Sequence, residues 1–194
     1  GDVYKRQGYE TAASRNMELE NFYVRVAELI NAKPKEIAFV ENATRAWDMI
    51  FYSIPLKAED QIITVRSEYG SNVIAYLHRA KQTGAELVIL ENNDDGEPDT
   101  DQLRKLINKK TKLISMSHIP TGGGLVNPAS EIGAIANEYG VPYLLDACQS
   151  VGQMSVDVAD IGCDFLSATG RKFLRGPRGT GFLYVKQEWI ERLE

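Results

Sequence analysis

The chain is poor in the residues that mark secreted, metal-binding or membrane proteins. Of its 194 residues only two are cysteine, Cys148 and Cys163, and two are histidine, His78 and His118. Two cysteines make no disulfide framework, so a cytoplasmic setting is the default expectation. No Cys/His group has metal-ligand spacing. No apolar run approaches the roughly 20 residues that a membrane-spanning helix needs, and no signal-peptide pattern opens the chain. Charge of one sign is never concentrated: the net charge of −5 is spread over interleaved acidic and basic residues. That pattern points away from nucleic acid and membrane surfaces as partners. Repeats and low-complexity linkers are also missing. The run Gly122-Gly123-Gly124 is not a nucleotide phosphate loop, because no Gly-Lys-Ser/Thr follows it, and it reads as a flexible turn.

What remains is an ordinary globular composition, with one substantial core and one domain as the natural count. Leu19, Phe22, Tyr23, Val26, Leu29 and Ile30 recur at helical spacing, which predicts an amphipathic helix over 16–31. A strand follows at 37–40. The next helix, 43–54, carries Ala46, Met49, Ile50 and Ile54 on one face and is blocked by Pro55. Strands at 62–65, 87–90, 112–117, 142–146 and 164–168 then alternate with helices near 71–82, 99–108 and 128–139. A last strand spans 181–185, before a helix-like start at QEWIERLE. Such alternation implies βαβ units and a mostly parallel sheet covered on both faces, a three-layer α/β/α sandwich.

In such sheets ligands gather outside the carboxyl ends of the strands, and the chemistry-bearing residues fall there. Asp146 ends one strand and Thr121 follows another. Tyr69 follows 62–65, and Ala43-Thr44 follows 37–40 and opens a helix. Lys172 comes shortly after Ser167-Ala168-Thr169-Gly170. An amine and a carboxylate so placed are the pair that pyridoxal phosphate (PLP) chemistry needs. The amine holds the cofactor aldehyde as a Schiff base. The carboxylate keeps the ring nitrogen protonated, so that the ring accepts electrons from a substrate carbanion.

Each residue also has a plainer reading. Asn42-Ala43-Thr44-Arg45 is a helix cap or a phosphate cradle built on free N–H groups and the helix dipole. Asp146 is an ordinary strand-end acid, Lys172 a solvated lysine and Tyr69 a packed loop tyrosine unless they act together. His118 reads as a structural histidine bonded to backbone, His78 as an exposed helix residue, and Cys148 as a small buried residue rather than a nucleophile.

Two segments carry a resemblance. Asp146-Ala147-Cys148-Gln149-Ser150-Val151-Gly152 is similar to a D-A-x-Q-S-x-G motif. Thr169-Gly170-Arg171-Lys172, leading into Gly176-Pro177-Arg178-Gly179-Thr180-Gly181, is similar to S-G-[HR]-K-x-x-G-P-x-G-x-G, with one extra residue before Gly176. The chain thus resembles the class V aminotransferase family of fold-type I PLP enzymes, which includes cysteine desulfurases, C–S lyases and an amino-acid epimerase.

The resemblance implies the large PLP-binding domain of the aspartate-aminotransferase-like fold. It implies Lys172 as Schiff-base lysine and general base or acid, and Asp146 as partner of the pyridinium nitrogen. Gln149 becomes a donor to the phenolic oxygen, and Tyr69 the residue stacked on the ring. Thr44 and Arg45 belong to the phosphate cradle, with Thr169 and Arg171 as further phosphate contacts. Thr121 lies near the cofactor oxygen. Desulfurases carry histidine, asparagine and histidine where this chain has Tyr69, Thr121 and Arg171, and its lysine segment looks closer to the branch holding C–S lyases and epimerase-like proteins.

Family members run about twice this length. Residues 1–7 look like the translation of a sequencing adapter, so the expectation is a fragment whose large cofactor domain fills 8–194 and whose small C-terminal domain is absent. The expected activity is C–S bond cleavage in an amino-acid substrate by β-elimination, of desulfurase or lyase type. Epimerase or aminotransferase chemistry on the same scaffold is the alternative, and a non-catalytic fragment the alternative of another class. By resemblance the protein is a homodimer.

Overall fold

The computed structural model describes residues 8–193, so the expected adapter segment at 1–7 lies outside the described residues. Helices α1 (Tyr9–Ser14) and α2 (Asn16–Ile30) lead through a 3-10 turn, Pro34–Glu36, into β1 (Ile37–Val40). Then come α3 (Ala43–Ser53), β2 (Gln61–Val65), α4 (Gly70–Thr83), β3 (Glu86–Leu90), α5 (Thr100–Leu106) and β4 (Thr111–Ser117). The chain continues through α6 (Ala129–Tyr139), β5 (Tyr143–Asp146), α7 (Val158–Ile161), β6 (Phe165–Thr169), β7 (Gly181–Val185) and α8 (Gln187–Ile190).

The seven strands form one sheet in the order β1-β7-β6-β5-β4-β2-β3. β7 runs antiparallel to both its neighbours, and every other pairing is parallel. β1 therefore points the same way as β6, and the carboxyl ends of six strands share one edge. Strand side chains alternate between faces, and two cores result. Ile63, Leu145 and Leu166 face the core under α2, α5, α6 and α7. Ile62, Leu144 and Phe165 face the core under α3 and α4. This is the expected three-layer α/β/α sandwich with a mostly parallel sheet, the fold-type I arrangement.

The differences are local. Of the stripe expected on α2, Val26 and Ile30 are buried, whereas Leu19 is 62% exposed and Leu29 47%. Only the last turns of α2 reach the sheet, so periodicity outruns the surface available to cover. It ends at Asn31, in a left-handed conformation, three residues before Pro34. On α3 the buried stripe runs through Ala43, Ala46, Trp47, Ile50 and Phe51, the i, i+3, i+4 spacing of a core-facing helix. Met49 sits on the flank, 46% exposed, and Trp47 stacks on Phe51 with 4.6 Å between ring centroids. Helices α1 and α7 escape sequence reading because six and four residues are too short to show a period.

Candidate active site

The carboxyl edge of the sheet gathers the chemistry. Thr44 enters from the start of α3, Tyr69 from the loop after β2, Asp146 from the end of β5, and Thr169 from the end of β6. Arg171 and Lys172 follow on a turn that folds back on itself. There Gly176 N–H donates to Gly170 O (2.7 Å) and Arg175 N–H to Lys172 O (3.0 Å). Gly170 packs closely against Thr180, and a Cβ there would lie 2.2 Å from Thr180 Oγ1, so a larger residue would force that side chain to move. These six residues line one cavity of about 110 Å³. Asn42, Asn72 and Cys148 line it as well.

Asp146 is 7% exposed. Its Oδ1 accepts from the Cys148 N–H at 3.0 Å and its Oδ2 from Asn72 Nδ2 at 3.2 Å. Both donors are neutral, and among the described residues no cation forms an ion pair with it. A buried carboxylate that faces a cavity without a counter-ion suits a cationic ligand group such as a protonated ring nitrogen. The Lys172 amine stands 5.7 Å from the Tyr69 ring centroid, over its face. At the other side α3 begins. The Asn42 side chain accepts from the Arg45 N–H at 2.8 Å. The N–H groups of Ala43 and Thr44 have no intrahelical partner and, with the helix dipole, suit an anion. Amine, counter-ion, aromatic face and anion cradle are the donor set that PLP demands, so the residues present fit that group.

Three sequence-expected residues lie apart from this cavity. Gln149 Nε2 donates to Thr121 Oγ1 at 3.0 Å, and the pair lines a neighbouring cavity of about 560 Å³ together with Phe173. Arg45 is exposed and touches the site only through its backbone. Instead of the expected backbone bond, the buried ring of His118 shares a hydrogen bond between Nδ1 and Ser150 Oγ at 3.0 Å. Burial lowers its pKa. His78 is exposed and its ring meets Tyr52 OH at 3.2 Å. Cys148 lines the cavity, but burial pushes its thiol far up and the charge of Asp146 adds to that, so it is no nucleophile at neutral pH.

Sequence reasoning missed Asn72 and Glu68. Asn72 is 1% exposed and lies in the first turn of α4. Its Nδ2 donates to both Glu68 Oε1 (3.2 Å) and Asp146 Oδ2 (3.2 Å). Glu68 also accepts from the Tyr69 N–H at 2.7 Å and from Ser117 Oγ. Burial raises its carboxyl to about 7, with the charge of Asp146 adding to the rise. The signal was available as Glu-Tyr-Gly-Ser-Asn just after a buried strand, but polar residues at a helix start read as capping.

The fold and cavity define a cofactor-type site at the carboxyl edge of an α/β sheet, and the sequence relationships agree. A model of the family described as aminotransferase class-V matches residues 3–194, and the chain belongs to that family. It is similar to a probable cysteine desulfurase of Synechocystis, 40% identical over 87% of this chain and 41% of the relative. Among solved structures it is similar to the apo cysteine desulfurase of Thermococcus onnurineus, with TM-score 0.89 and 30% identity over 97% of this chain and 48% of that one. The cysteine desulfurase CsdA of Escherichia coli superposes with TM-score 0.86 at 28% identity, over 97% of this chain and 48% of that one. The chain thus spans about half the length of the relatives it matches.

Proposed function

We propose that this chain is the large cofactor domain, 8–194, of a PLP enzyme that breaks the C–S bond of a sulfur-containing amino acid, with the small C-terminal domain outside it. The observation that carries the reading is the shared cavity of Lys172 and a buried Asp146, which forms no ion pair among the described residues. Family membership and the desulfurase relatives support it.

In this reading Lys172 holds the cofactor aldehyde. Once freed by the incoming amino acid, its amine removes or returns the proton at the substrate α-carbon. Asp146 accepts the ring N–H, and the Tyr69 face covers the ring. Thr44, Thr169, Arg171 and the free N–H groups at the start of α3 hold the phosphate, and the expected part of Arg45 is reduced to its backbone bond to Asn42. Gln149 and Thr121 serve the phenolic oxygen. When bound, the cofactor supplies an electron sink for the bond broken at the α-carbon. The reading carries with it a homodimer and a cytoplasmic setting. Among the described residues no helix is long and apolar enough to cross a membrane.

The test is the visible spectrum of the chain with PLP, followed by borohydride and peptide mapping. A band fixed on Lys172 is expected, and label scattered over surface lysines sinks the assignment. Product analysis then decides the reaction. Cysteine yielding alanine with persulfide sulfur, or pyruvate with sulfide, supports C–S cleavage. A D-amino acid or a keto acid without sulfur loss moves the activity to epimerase or aminotransferase. A specific band with no turnover marks a non-catalytic fragment.

A further inference from the structure

Behind Asp146 lies a second carboxylate that the proposed chemistry does not use. Glu68 sits in the loop before α4, partly buried, its carboxylate turned inward. Oε1 receives the Tyr69 N–H (2.7 Å), Asn72 Nδ2 (3.2 Å) and Ser117 Oγ. Oε2 lies 3.2 Å from Tyr76 OH and 3.4 Å from Thr64 Oγ1. Asn72 gives one amide proton to Glu68 and the other to Asp146, so a single NH₂ group ties the two carboxylates together.

The titratable groups facing Glu68 are Asp146 from β5 and Tyr76 from α4, while Tyr143 of β5 feels its charge only at a distance. β2 and β4 present only the hydroxyls of Thr64 and Ser117. Among the described residues no lysine, arginine or histidine forms an ion pair with it. Two carboxylates bridged by one neutral amide repel each other when both are ionised. The three hydroxyls around Glu68 can each donate to a carboxylate or accept from a carboxyl O–H, so the site accommodates both protonation states.

Resting on the PLP reading above, we propose that Glu68 is a positioning residue for Asp146, linked to it through Asn72 so that a cationic ring nitrogen at Asp146 draws a proton off Glu68. The proton leaves as solvent hydronium through the open cavity of about 470 Å³ that Glu68 also lines. The cation neutralises the charge that opposes ionisation of Glu68. The ionised Glu68 in turn adds negative potential at the ring nitrogen and keeps Asn72 aimed. The pKa of about 7 places this exchange in the physiological range.

The cofactor-free chain tests the link directly. With glutamate labelled by ¹³C at the carboxyl, NMR follows the Glu68 signal against pH, assigned by its loss in Glu68→Gln. A midpoint near 7 is expected, falling by at least about half a unit in Asp146→Asn. A midpoint that stays put in that variant overturns the inference, whatever PLP does. Should Asp146→Asn fail to fold, Asn72→Ser serves, and an unchanged midpoint there has the same consequence.

With PLP added, the dissociation constant is measured at pH 6 and pH 8 in wild type and Glu68→Gln. Across that interval the wild-type constant should tighten by a factor about threefold or more larger than the factor measured for Glu68→Gln. Equal pH dependence overturns the coupling to occupancy. Absence of any Lys172 adduct sinks the functional reading instead, leaving the cofactor-free coupling as measured.

Discussion

In the proposed function Lys172 and Asp146 divide one task, and their variants should fail differently. Lys172→Ala should remove the borohydride-fixable adduct altogether. Asp146→Asn should keep an adduct but slow turnover by about 10² to 10⁴, since a neutral amide no longer stabilises a protonated ring. Spectra before and after borohydride, with turnover beside them, separate the two. Glu68 adds a stability signature. Its carboxyl rises from 4.5 to about 7, so the folded chain keeps a proton in that window that the unfolded chain releases. The stabilisation is fully present below pH 4.5 and is lost as pH rises through 7, on the order of 3 kcal/mol. Glu68→Gln should flatten that loss in urea unfolding at pH 5 and pH 8, whereas an unchanged slope would show the proton is held elsewhere.

At the scale of elements, the anion cradle depends on how α3 starts and on how it is held down. Asn42→Ala removes the bond to the Arg45 N–H and should cost about 1 kcal/mol, with weaker phosphate binding in the same variant. Trp47 is 1% exposed and packs on Phe51 and Tyr76, so Trp47→Ala should cost about 3–5 kcal/mol in denaturant midpoints. α6 meets α7 through Gly133, where a Cβ would fall 1.8 Å from the Ile161 carbonyl oxygen. Gly133→Ala should therefore cost about 1–3 kcal/mol as the two helices part, and retained wild-type stability would mean that they slide freely. The surface ion pair of Arg25 with Glu28 has both side chains more than half exposed and is worth little.

The whole molecule is a sheet whose middle is closed and whose margins are thin. β2, β4, β5 and β6 are almost entirely buried, whereas α1 buries nothing and β3 is one of the two edge strands, with β1 the other. Amide exchange should be slowest in the central strands and fast in α1 and β3. Uniform exchange would contradict this layering.

Much of this architecture was legible in the residues. Alternating apolar strands and helices determined a parallel three-layer sheet, because strand and helix periods are set by local backbone geometry. Two motifs determined the family and singled out Lys172 and Asp146 as the candidate pair. Only the tertiary structure decided which side chains share a cavity. It joined Thr44, Tyr69, Asp146, Thr169, Arg171 and Lys172, set Gln149 with Thr121 next door, and left Arg45 outside. It also brought Asn72 to Asp146 across 74 residues of chain. Contacts of that span follow from strand order and helix docking, which no local pattern encodes. A carboxylate's proton affinity likewise depends on burial and neighbours rather than on its own segment.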